Sequence, residues 1–157
     1  MDWKAYQNEF ITDGKLRKII INNVTQENWQ KILNFLVKTE VTLHFFIDGV
    51  RSELPSQIED VFQKDKHQYL LSLIFDDVRL NCNFDRDEDI VLSFDPGQIT
   101  NEAEAKLIFR IMSTFGRRLN KVVLLTVESR EEQPVFQYEP GEGLTYIKLN
   151  KKFTSYE

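Results

Sequence analysis

The spacing of apolar and polar positions changes repeatedly along the chain, and each change marks an element. From Leu16 the run LRKIII is short, apolar and β-branched, which reads as a strand. Thr25 then precedes a segment in which Trp29, Ile32, Leu33, Leu36 and Val37 recur at helical spacing, so all five share one face of a helix. The Thr25 hydroxyl suits the N-cap, and Glu27 places negative charge in the first turn, where the helix dipole favours it. Val41, Leu43, Phe45 and Ile47 alternate up to Asp48-Gly49, a pair that accepts the positive φ angles of a tight hairpin. Leu54-Pro55 stops the return strand, and Ser56 with Glu59 has the spacing of a capping box, which predicts a short helix over 57–63.

Residues 68–75 and 78–84 flank Asp76-Asp77, and the second run sets Val78, Leu80, Cys82 and Phe84 against Arg79, Asn81 and Asn83. With 90–94 they make an antiparallel meander. Asn101 and Glu104 open the longest helix, whose apolar stripe is Leu107, Ile108, Ile111, Met112, Phe115 and Leu119. Residues 122–127, VVLLTV, are apolar without alternation and predict a central strand covered on both faces. PVFQYEP and LTYIKL close the chain as strands around Gly141-Glu142-Gly143, with KKFTSYE as a frayed tail. The pattern predicts an α+β fold, a mostly antiparallel sheet of about six to eight strands with two main helices packed on one face. One domain spans 1–157, with 1–14 and 151–157 at its periphery.

Composition narrows the class. Hydrophobic residues make up 41% and charged residues 29% of 157, enough for one core and unlike disordered or disulfide-scaffold chains. The single cysteine, Cys82, excludes an internal disulfide and a multi-thiolate zinc site. MDWKAYQNEF lacks the basic start and apolar run of a secretory signal, and no apolar stretch reaches the roughly 20 residues of a membrane span. A cytoplasmic protein away from membranes is expected.

Motifs for catalysis are weak. Asp85, Asp87, Glu88 and Asp89 resemble a calcium loop, but Ile90 falls where the sharp bend needs Gly and Pro96 where a bidentate Glu is needed. No serine has a glycine-flanked elbow, and Gly141-Glu142-Gly143 lacks the lysine and helix of a phosphate loop. Cys82 alternates with Leu80 and Phe84 and reads as an inert buried thiol. A metal site would require His44 and His67 to converge with a carboxylate. No cofactor or metal is expected.

Charge is the stronger signal. Residues 76–104 hold nine acidic side chains against Arg79 and Arg86, and 128–142 hold five Glu against Arg130. The negative field is therefore concentrated, which repels nucleic acid and favours a basic protein partner. Asp76, Asp77, Asp85, Asp87, Glu88, Asp89, Asp95, Glu131 and Glu132 are the expected partner-binding residues. Lys106, Arg110, Arg117, Arg118 and Lys121 form a converse basic stretch, read as the solvated side of the long helix. Trp3, Tyr6, Phe10, Tyr138, Tyr146 and Tyr156 fall in terminal or edge segments where exposed rings would anchor a partner.

The expected function is a non-catalytic acidic protein-binding module. Small acidic immunity-type inhibitors of basic bacterial toxins share its size and charge. Two other readings stand beside it. One is a sensor or enzyme with a pocket between sheet and helices, using His44, Asp48 and a nearby Tyr for proton transfer. The other is a homodimeric scaffold joined through an unpaired edge at 144–149.

Overall fold

A computed structural model describes residues 1–63 and 66–153. The chain begins with a helical turn, α1 (Trp3–Tyr6), and a 3-10 turn (Gln7–Phe10). There follow β1 (Arg17–Ile21), α2 (Gln26–Val37), β2 (Thr42–Ile47), β3 (Val50–Ser52), β4 (Tyr69–Phe75), β5 (Val78–Asn83) and β6 (Ile90–Phe94). The second half holds α3 (Glu102–Leu119), β7 (Val123–Val127), β8 (Phe136–Glu139), β9 (Gly143–Tyr146) and β10 (Lys151–Lys152). All ten strands form one open antiparallel sheet in the order β10-β9-β8-β7-β1-β6-β5-β4-β2-β3. The mixed α+β class stands, with more strands than expected. The outermost two, β3 and β10, are too short to display any hydrophobic period.

Helices α2 and α3 pack on one face, and their apolar stripes share a core with the inward residues of the sheet. Strand β1, the first element with a strand pattern, lies in the middle between β6 and β7, where Ile19 and Ile21 are fully buried. Residues 122–127 are therefore not the central strand. Nor is β7 enclosed on both faces, because the outward Leu124 stays partly exposed.

Local chemistry explains the ends of the elements. Thr25 Oγ1 accepts from Asn28 N–H at 3.1 Å while Asn28 Oδ1 accepts from Thr25 N–H at 3.0 Å, a reciprocal cap for α2. Asn101 Oδ1 accepts from Glu104 N–H at 3.0 Å and caps α3. Asp48 and Gly49 have φ of 51° and 81° and form the expected β2–β3 turn. Val37, the last residue of α2, departs from its stripe and is 56% exposed.

The predicted helix over 57–63 is only a 3-10 turn, Ile58–Asp60, without a side-chain cap. Instead of a capping box, Gln30 Oε1 of α2 accepts from Ile58 N–H at 2.7 Å, and this tertiary bond fixes the segment. Residues 1–10 and 151–153 are also more integrated than their sequences suggest, while 154–157 of the expected tail lie outside the described residues. Tyr6 and Phe10 enter the core, β10 pairs with β9, and Phe153 is buried between them and α3. The segment 144–149 is accordingly no sheet edge: β9 is paired on both sides, and Ile147–Leu149 turns into a 3-10 helix.

One close approach seats α3 on the sheet. A Cβ on Gly116 would lie 2.3 Å from Tyr138 Cδ1 and 3.1 Å from the Lys121 carbonyl oxygen. Neither neighbour is free to retreat, since Tyr138 is buried on β8 and Lys121 N–H is bonded to the Gly116 carbonyl. Gly116→Ala is expected to lower unfolding free energy by about 1–3 kcal/mol, as overpacking does in a filled core. Chemical denaturation checks this. An unchanged or raised midpoint would show that the helix shifts without cost.

Candidate functional site

A concavity lies between the C-terminal end of α2 and the middle of α3, at the end of the sheet that carries the β4–β5 turn. It encloses about 570 Å³. Its apolar lining includes Phe35, Val41, Phe75, Leu107 and Phe115, with Glu40, Asp76 and Arg110 as its charged groups. Helical periodicity explains why apolar surface remains open here. Phe35 and Leu107 lie at the margins of their stripes, so each is only partly buried against the core. The Arg118 guanidinium lies 3.8 Å from the centre of the Phe35 ring, a cation–π contact that holds the ring in place.

The acidic residues divide between the two ends of the sheet. Asp76 and Asp77 form the β4–β5 turn, and Asp95 follows β6 at the same end, where Gln98 bonds the Arg79 backbone in both directions. Glu131 and Glu132 lie in the β7–β8 loop, also at this end, and Glu131 pairs with Lys18 at 3.0 Å. Asp85, Asp87, Glu88 and Asp89 occupy the β5–β6 loop at the opposite end, a strand length of roughly 20 Å away. One continuous acidic face across all nine is therefore not formed. Only Asp76 of the nine lines the recess.

The β5–β6 loop is held by its backbone. Trp29 Nε1–H donates to the Asp87 carbonyl at 2.9 Å, and Val24 N–H donates to the Glu88 carbonyl at 2.8 Å. Arg86 meets Glu88 at 2.9 Å and Asp89 at 3.5 Å, neutralising part of the loop. At the other end the Lys18 ammonium bonded to Glu131 holds that carboxyl below the usual glutamate range.

The histidines do not converge. His44 sits mid-strand on β2, opposite Ser72 on β4, on the face away from the helices. His67 Nδ1 lies 2.6 Å from Asp48 Oδ2 at the other end of β2, where both groups are exposed. The amide of Gln68 bonded to Asp48, with His67 beside it, lowers the Asp48 carboxyl. Among the described residues no group of three His, Cys, Asp or Glu side chains is placed to hold a metal ion. Cys82 is buried, and loss of hydration pushes its thiol up to about 12, with Asp85 adding to the rise.

Four of the aromatic residues expected as exposed anchors serve the interior. Tyr6, Phe10, Tyr138 and Tyr146 are buried, Trp3 packs partly against the core, and Tyr156 lies outside the described residues. Burial raises the Tyr6 hydroxyl to about 12, with Glu102 and then Asp2 adding to it. Burial and the bond from Tyr146 to the Glu9 carboxylate raise the Tyr146 hydroxyl as well. These displaced groups lie away from the recess.

No known family matches the chain, and no characterised protein or solved structure does so either. Among the described residues no helix is long and apolar enough to cross a membrane.

The recess was hidden in the sequence. In the sequence Leu107 reads as a member of the long helix's apolar stripe, Asp76 as one of the partner-binding acids and Arg110 as part of a solvated basic stretch, while Phe35 and Glu40 carry no signal of their own. Only the convergence of three chain segments joins them.

Proposed function

We propose that this chain is a non-catalytic binding module that captures a basic protein, of the kind an immunity-type inhibitor offers to a basic toxin. The observation that carries this reading is the recess beside the β4–β5 turn. It combines an open apolar lining with the carboxylates of Glu40 and Asp76 beside the single cation Arg110, and Asp77 and Asp95 lie at the same end of the sheet. An apolar anchor from the partner fits the lining, and neighbouring lysines or arginines find the carboxylates. Charge of this kind speeds encounter and rejects acidic competitors. Glu131 belongs to the same end, but its carboxylate is already engaged by Lys18.

The partner recovered from the source cell by affinity capture provides the test. Glu40→Lys with Asp76→Lys and Asp77→Lys is expected to slow its association at least tenfold, and raising ionic strength should slow the unaltered protein too. Association that is insensitive both to salt and to these three reversals would overturn the reading.

A small-molecule sensor is the second reading, favoured by a recess whose volume lies within the range of ligand pockets. Leu107→Trp, which fills the lining without altering charge, separates the two. It should abolish uptake of a small ligand while leaving the salt dependence of protein capture in place.

A further inference from the structure

The sheet ends at β3, which is shorter than the strand it covers. Strand β4 pairs with β2 from Thr42 to Ile47, whereas β3 reaches only Phe45, Phe46 and Ile47. After Ser52 the chain leaves the sheet, and Gln30 of α2 donates to the Ser56 carbonyl at 2.8 Å and accepts from the Ile58 N–H at 2.7 Å. The first half of β2 is therefore a notch in the sheet edge.

The register identifies the backbone groups that open into it. Ile47 and Val50 close the two-residue turn Asp48-Gly49, so their N–H and carbonyl groups face each other between β2 and β3. On the other side, Asp48 N–H donates to the Gln68 carbonyl at 2.8 Å. These directions alternate along an antiparallel strand, which aims the backbone groups of Leu43, like those of Phe45 and Ile47, away from β4. Among the described residues the Leu43 N–H and carbonyl meet no backbone partner on that side.

The surroundings of the notch are apolar and acidic. Gln30 faces the segment 56–58, and Val37, two helical turns on, points within about 20° of the same direction. The exposed Val37 side chain thus overhangs this edge. Glu40 precedes β2 and Glu53 follows β3, and among the described residues neither carboxylate is held by an ion pair or a side-chain hydrogen bond. Lys38 is the one cation in the α2–β2 connection, while Arg51 pairs with Phe46 and points to the helix-free face. The opposite edge differs, because β10 is Lys151–Lys152, whose cations deter strand addition.

We infer that the notch takes an extended segment of the basic partner as an added strand, one apolar residue set between lysines or arginines. The inference rests on the reading of the chain as a module for a basic protein, and it names the part of the partner that enters. The segment's backbone supplies the bonds that Leu43 lacks, and its apolar side chain turns to the helix side beneath Val37. Its flanking cations stand toward Glu40 and Glu53 at the two ends. A second copy of this chain fits less well, since it would bring its own Glu40 and Glu53 against the same acids.

The probe is the peptide acetyl-Lys-Val-Lys-Val-Lys-amide at up to millimolar concentration, with amide exchange at Leu43 as the readout. In the free protein that amide should exchange rapidly, and bound peptide should slow it roughly tenfold or more. Methylating the two valine nitrogens keeps the charge and removes the ladder donors, so binding should weaken about tenfold. Val37→Arg, at an exposed position, should weaken it to a similar degree with native circular dichroism. Leu43→Pro should do the same, because the N–H it removes faces away from β4; if that variant fails to fold, Val37→Arg and the methylated peptide carry the test. Asp76→Lys with Asp77→Lys, beside the recess, should leave the protection of Leu43 in place. A Leu43 amide already protected in the free protein, no binding at millimolar peptide, or equal binding of the methylated peptide overturns the inference. Partner capture that still slows with Glu40→Lys, Asp76→Lys and Asp77→Lys while Leu43 stays unprotected in the complex keeps the recess reading and removes this one.

Discussion

Replacing Arg17 by alanine is expected to cost about 2–4 kcal/mol of unfolding free energy, since a buried guanidinium gives up several hydrogen bonds of the charged kind, each worth about 1.5–3 kcal/mol. The Arg17 side chain is 3% exposed at the start of the central strand. Its guanidinium donates to the carbonyls of Glu9 at 2.8 Å, Lys15 at 3.0 Å and Ile11 at 3.3 Å, and makes two bonds of 3.1 Å to the Asp13 carboxylate. One planar group therefore terminates the polar backbone of the whole segment 9–15. Without it those carbonyls lose their charged donor. Lysine should recover little, because a single ammonium cannot span the fork.

Urea denaturation measures the loss, and proteolysis within 9–15 should accelerate in parallel. A loss below about 1 kcal/mol would show that water replaces the guanidinium without penalty. The same contact sets an acid dependence. Arg17, bonded to Asp13, holds that carboxyl below the ordinary aspartate value of about 3.9. Because the folded-state value is depressed, the stabilisation is complete above that ordinary value and disappears as pH falls through the lowered one. Asp13→Asn should flatten this part of the acid limb in a pH series of denaturation midpoints.

Trp29→Ala is the second large effect, about 3–5 kcal/mol, as expected for truncating a buried aromatic side chain. Trp29 is 4% exposed, with ring centres 5.1 Å from Phe62 and 5.2 Å from Phe84. Its indole also holds the Asp87 carbonyl, so the variant loses core packing and one of the ties on the acidic β5–β6 loop. Trp29→Phe distinguishes the two contributions. It keeps a ring in the core but gives up the hydrogen bond, whose net worth is about 1 kcal/mol. Amide exchange should quicken in residues 85–89 for both variants, whereas only the alanine variant should show the full drop in unfolding free energy. Equal losses for Ala and Phe would assign the role of Trp29 to the hydrogen bond alone.

These two residues also show where sequence reasoning reaches its limit. Trp29 falls at the first position of an apolar stripe, so its burial follows from helical spacing. Arg17 carries a charge in a strand pattern, and nothing local distinguishes it from the outward Lys18. Its burial comes from the segment 9–15, whose carbonyls surround it while Tyr6 and Phe10 hold that segment to the core. The acidic loops present the same limit. Their charges are plain in the sequence, but the length of β5 separates them, and strand pairing assigns each to an end.

Local chemistry by itself determined the caps at Thr25 and Asn101, the Asp48-Gly49 turn, the meander and the inward set on β5, because each depends on neighbours within a few residues. It likewise determined the α+β class and the burial of Cys82. Tertiary structure decided the central place of β1, the pairing of Lys151–Lys152 as a tenth strand, the recess between α2 and α3, and the division of the acids. Those features depend on contacts between residues far apart in the chain. A short strand carries no mark of its place in the sheet order, and an exposed charge carries no mark of the surface it will share.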